Sequence, residues 1–139
     1  MAEPVKHHRD LEVRKKAFAL AMRIFELSSS FPKEERYALT DQIRRSSRSV
    51  TANMAEAWQK RRYEAAFCAK LSDSCAEAAE TQEWLDFAFA CGYIDSSTFD
   101  ELDEGYSKVL STLRAMQFHS AQWCLREQPQ STIHKPQST

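Results

Sequence analysis

The chain has 139 residues, 42% of them hydrophobic, with 2 glycines, 4 prolines and a net charge of −1. That length suits one domain, and so few turn-forming residues argue against a many-stranded β fold and for long helices. Near-neutral charge excludes a protein that is basic throughout, so any surface for a polyanion must be local.

The first residues, "MAEPVKHHRDLEVRKK", are charged and lack the apolar run of a signal peptide. No apolar stretch approaches the ~20 residues that cross a bilayer. We expect a cytoplasmic protein, with residues 1–9 as a flexible leader. The first helix should cover about Asp10 to Ser28. Val13, Ala17, Leu20, Ile24 and Leu27 repeat at a 4-3-4-3 spacing that keeps one stripe toward a partner. Phe18 and Phe25 form a parallel stripe, so this helix should meet more than one neighbour.

"SSSFPKEE" breaks the pattern. Pro32 suits the first turn of a second helix, and Glu34 and Glu35 suit the positive end of its dipole. This helix should run from about Pro32 to Gln59, with Leu39, Ile43, Val50, Met54 and Ala57 inward and Ser46 and Ser47 filling the middle. The basic turn "QKRRYE" leads into a third helix, about Tyr63 to Cys91, with Phe67, Leu71, Ala78, Leu85 and Phe89 inward. Gly92 supplies its stop, and Asp95 or Ser96 caps a fourth helix. There Phe99, Leu102, Tyr106, Val109, Leu113, Met116, Ser120 and Trp123 keep a 3-4 repeat. The polar, proline-broken residues 127–139 read as a disordered tail. Four helices with short links predict an all-α protein, an up-down-up-down antiparallel four-helix bundle over residues 10–126.

Cys68, Cys75, Cys91 and Cys124 form no CxxC pair and read as buried small hydrophobes of a reducing compartment. The histidines show no HxxxH or HExxH spacing, and no nucleophile–base pair or phosphate loop stands out. We therefore expect no catalytic residues and no enzyme, and likewise no metal, cofactor or small-molecule substrate.

Charge is segregated. Between Arg44 and Arg62 the basic residues Arg44, Arg45, Arg48, Lys60, Arg61 and Arg62 face a single acid, Glu56. From Leu71 to Glu104 ten acids, Asp73, Glu77 and Glu80 among them, occur without a lysine or arginine. At ~100° per residue, Arg44, Arg45 and Arg48 fall on the back of the second helix with Tyr37, Asp41, Ala52 and Ala55. Asn53 sits at the edge of the two faces, and Glu56, three residues on, could orient it or a neighbouring backbone. Two readings stand side by side. The basic residues contact phosphates, or they meet Asp73, Glu77 and Glu80 within the chain or across subunits.

"FPKEERYALTDQIRRSSRSVTANMAEAW", Phe31 to Trp58, resembles the signature of the 23S rRNA intervening-sequence protein family. The family pattern falls on Phe31, Pro32, Glu35, Arg36, Tyr37, Leu39, Gln42, Arg44, Arg45, Ser46, Asn53, Met54, Ala55 and Glu56. Its glycine after Asn-x-Ala-Glu is Ala57 here, and Trp58 follows, which suggests a second helix that continues past Glu56. The resemblance implies a left-handed four-helix bundle that assembles into homo-oligomeric rings, commonly pentamers. It also implies structured RNA or a reverse transcriptase as partners, because relatives are accessory proteins of diversity-generating retroelements.

Overall fold

The computed structural model describes residues 5–125, so the expected tail lies outside the described residues. Every regular element among them is helical. The helices are α1 (Glu12–Ser28), α2 (Asp41–Gln59), α3 (Glu64–Ala90), α4 (Ser96–Phe118) and the short α5 (Ser120–Trp123). None of them is long and apolar enough to cross a membrane.

The long helices touch in cyclic order, α1 on α2, α2 on α3, α3 on α4, and α4 back on α1. One apolar core lies between them, with Ile24, Ile43, Val50, Met54, Phe67, Leu71, Leu85, Leu102, Tyr106 and Leu113 almost wholly buried. The periodic stripes supply these residues, since positions three and four apart share a helix face. Leu20, Leu27, Phe99 and Trp123 pack at the margin of the core and are partly buried. Ala21 takes an inner place beside them.

Helix ends follow the local chemistry. Gly92 adopts φ 79°, the left-handed conformation that closes α3. The Asp95 side chain accepts from the Thr98 N–H at 2.8 Å and caps α4. Residues expected to form a flexible leader include a 3-10 turn at His8–Asp10, and Val5 packs on the core.

Several expectations need correction. The second helix is not continuous from Pro32: a 3-10 turn at Lys33–Glu35 and a π-helical turn at Arg36–Thr40 precede α2. The wider turn brings Leu39 and Thr40 inward together, and Tyr93 holds the entry by donating to Glu35 at 2.8 Å. Phe89 is not a core residue. It lies 42% exposed, and Ala88 takes the inner position at full burial. The fourth helix breaks at His119 before α5 begins. Cys91 is exposed, whereas Cys68, Cys75 and Cys124 are partly buried.

The α2–α3 contact is lined by small hydroxyl side chains. Ser46, Ser47, Ser74 and Thr81 are buried. Ser74 donates to the Val50 carbonyl at 2.7 Å, and Thr81 lies 2.8 Å from the Ser46 hydroxyl. Ser46 and Ser47 also donate to the Ile43 and Arg44 carbonyls, so each of these four hydroxyls has a partner, the condition for placing it there without a large penalty.

Candidate interaction site on the arginine face

The arginine face of α2 starts with Arg44, whose side chain is committed to α1. Its Nε–H donates to the Ser28 hydroxyl at 2.7 Å, and one terminal nitrogen donates to the Phe25 carbonyl at 3.1 Å and to Ser29 at 3.3 Å. These are C-terminal groups of α1, where a cation also suits the helix dipole. The guanidinium lies 4.7 Å from the centroid of the Phe25 ring. Arg44 is thus an intramolecular clamp.

Arg45 reaches the other way, to α3. It bonds Glu80 at 2.8 Å, and Glu80 also accepts from the Trp84 indole at 3.1 Å. Glu77 stands 3.9 Å off, a loose ion pair too long for a hydrogen bond, and its buried Oε1 has no hydrogen-bond partner among the described residues. Arg48 makes no ion pair among the described residues. It stacks loosely on Phe25 at 5.7 Å and lines an open groove of about 440 Å³ with Asp41, Arg44, Arg45, Ser49 and Ala52. Ala55 is half-buried and outside that groove. Tyr37 projects from the π-helical turn under Arg36, at 5.3 Å.

Asn53 and Glu56 do not orient each other. Asn53 donates to the Ser49 carbonyl at 3.0 Å, and Glu56 pairs with Lys70 at 2.6 Å. Lys70 holds the Glu56 carboxyl below its usual pKa and also lies 3.6 Å from Asp73. Asp73 therefore pairs with a lysine on its own helix and not with the arginines.

The second basic group sits at one end of the molecule. Lys60, Arg61 and Arg62 form the turn between α2 and α3. Arg61 lies 3.6 Å over the Trp58 ring and donates to the Trp58 carbonyl at 2.9 Å, while its own carbonyl accepts from Leu125 at 3.0 Å. Partial burial lowers its pKa, though an arginine stays charged at any physiological pH. Lys60 and Arg62 are exposed and make no ion pair among the described residues. The turn at His8–Asp10 packs on the same helix, α2. Burial and the nearby His7, Arg9 and Arg14 lower the pKa of His8, a sign of crowded positive charge.

Sequence reasoning missed the hydroxyls of Ser74 and Thr81. Their seven-residue spacing around Ala78, between Leu71 and Leu85, was the available signal. It also missed Lys70, which lies one residue before the acidic run. Among the described residues no three His, Cys, Asp or Glu side chains gather as a metal-ligand set.

The family model for the 23S rRNA-intervening sequence protein matches residues 9–115. The chain belongs to this family. A solved structure from Bacteroides thetaiotaomicron, described as a protein of unknown function from the S23 ribosomal protein family, is 28% identical. The match covers 76% of this chain and 94% of that one, with a TM-score of 0.69. No curated protein matches the chain. In this member of the family the departure at Ala57 is structural: α2 continues past Glu56 to Gln59, and Ala57 and Trp58 are both buried.

Proposed function

We propose that this chain is a non-enzymatic, self-assembling scaffold, a left-handed antiparallel four-helix bundle whose copies form a closed ring in the cytoplasm. The pairing order supports the antiparallel arrangement. Cys68 with Gln117 and Gln82 with Asp103 run in opposite directions along α3 and α4, and Ser46 with Thr81 and Val50 with Ser74 do so along α2 and α3. The observation that carries self-assembly is the exposure of large apolar side chains on the long helices, Phe18, Met22 and Phe25 on α1 and Phe87 and Phe89 on α3. A monomer rarely leaves such side chains grouped in water. The family resemblance implies five copies. Light scattering on the purified full chain tests this, with a mass several times the 16.0 kDa of one chain expected. A single-chain mass at micromolar concentration would reject it.

A second reading has its own observation. Lys60, Arg61 and Arg62 crowd one end of the molecule without carboxylate partners among the described residues, and the exposed Tyr63 ring follows them. Such an end suits a phosphate backbone with an unpaired base stacked on the ring. Repetition around a ring would raise a weak contact by avidity. Structured RNA with a single-stranded loop is the expected ligand, alone or held by a reverse transcriptase. Affinity should fall with salt at a log–log slope of roughly −2 for three phosphates. Changing Lys60, Arg61 and Arg62 to glutamate should abolish binding. Absence of binding at low salt would reject this reading and leave the scaffold.

A further inference from the structure

Two faces of the molecule carry exposed aromatic rings, and their charges are opposite. On the α1–α2 face, Phe18, Met22 and Phe25 are 45%, 44% and 38% exposed. Arg14 covers Phe18 at 4.4 Å, and Arg44 and Arg48 cover Phe25. On the α3–α4 face, Phe89 stacks on Phe99 at 5.0 Å. Asp86, Asp100 and Asp103 surround that side, and none pairs with a lysine or arginine among the described residues. Burial and the charges of Asp86 and Asp100 raise the pKa of Asp103, as expected of crowded carboxylates without a cation. The cyclic order of the helices puts the two faces on opposite sides of the molecule.

We propose that copies of this chain join head to tail, the Phe25–Arg48 face of one against the Phe89–Asp86 face of the next. The inference rests on the scaffold reading and adds which surfaces meet. Charge complementarity selects the pairing. Like faces would set arginines against arginines or aspartates against aspartates, which costs free energy on desolvation. Unlike faces bring guanidinium to carboxylate, a charge-assisted pair, beside aromatic rings; arginine and aromatic residues are the types enriched at interfaces, and a buried aspartate needs such a partner. A contact between two different patches is heterologous, so each copy keeps one free face and assembly continues until it closes. Because the faces lie on opposite sides, a tilt at each joint is what closes the ring.

Arg48→Glu and Asp86→Lys test the pairing, with circular dichroism to show that each variant is folded. Both positions are exposed, so folding should survive. Each variant alone should run at the single-chain mass, because its altered face repels the unchanged one. Mixed together they should reassemble in alternating species of even number. The altered face of R48E then meets the altered face of D86K, and the unchanged Arg48 of one variant meets the unchanged Asp86 of the other. The doubly substituted chain R48E/D86K should recover the parent mass by itself. If the parent chain is monomeric, the scaffold reading fails. If it is oligomeric and both single variants keep its mass, the scaffold stands and these faces are not its interface. Loss of assembly without recovery in the mixture or the double variant would overturn the head-to-tail pairing and favour like-to-like contact. Loss of RNA retention by R48E at unchanged mass would assign that face to nucleic acid.

Discussion

Arg44 and Arg45 are adjacent in sequence and do different things. A helix turns ~100° per residue, so one guanidinium reaches α1 and the other α3. Arg45→Ala should lower stability by under about 1 kcal/mol, since its side chain and those of its acidic partners are partly exposed and screened. It should leave the assembly mass unchanged, because Arg45 is occupied within its own chain. Chemical denaturation and light scattering check the two halves of that statement. Asp103 gives a pH-dependent case. Its carboxyl pKa is raised in the folded chain, so its ionisation opposes folding. In the single chain, at concentrations too low for copies to assemble, Asp103→Asn should stabilise at neutral pH. The gain should appear as pH rises through the unfolded carboxyl value of 3.8 toward the folded one and be absent below it. Thermal unfolding at pH 3 and pH 7 would read this. Equal effects at both would show that the carboxylate charge is not the cause.

At the level of elements, α1 and α4 meet over a glycine. A Cβ on Gly105 would come within 2.7 Å of a Leu20 methyl. Leu20 can rotate away from an alanine, whose better helix propensity offsets the strain. A branched side chain leaves no such escape, and Gly105→Val should cost about 1–3 kcal/mol in denaturant unfolding. The hydroxyl contacts of α2 with α3 follow the same logic of close approach through small residues. The π-helical turn at Arg36–Thr40 shows the limit of periodicity. Apolar spacing gave the right inward residue, Leu39, but it cannot distinguish a widened turn from an α turn across five residues.

For the whole molecule, the decisive property is how it meets its copies. If assembly stabilises each chain, the thermal midpoint must depend on protein concentration. A tenfold dilution should lower it measurably, and R48E should show no such dependence. An invariant midpoint in the parent chain would mean that assembly contributes nothing to folding. Added salt should also weaken assembly, because charge selects the two faces.

The sequence alone determined the helical class, the core stripes, the Gly92 stop and the Asp95 cap, because each depends on residues close in the chain. It also carried the family, through the long motif from Phe31 to Trp58. It located the basic and acidic segments, yet it could not say which charges were already spent. That was decided by tertiary structure: Arg44 clamps α1, Arg45 meets Glu80, Glu56 meets Lys70, and Arg48 pairs with no acid among the described residues. The same holds for Phe25 and Phe89, whose outward positions depend on which neighbours cover a helix face. Pairing of charges and covering of rings are contacts between helices distant in sequence, and a one-dimensional pattern does not contain them.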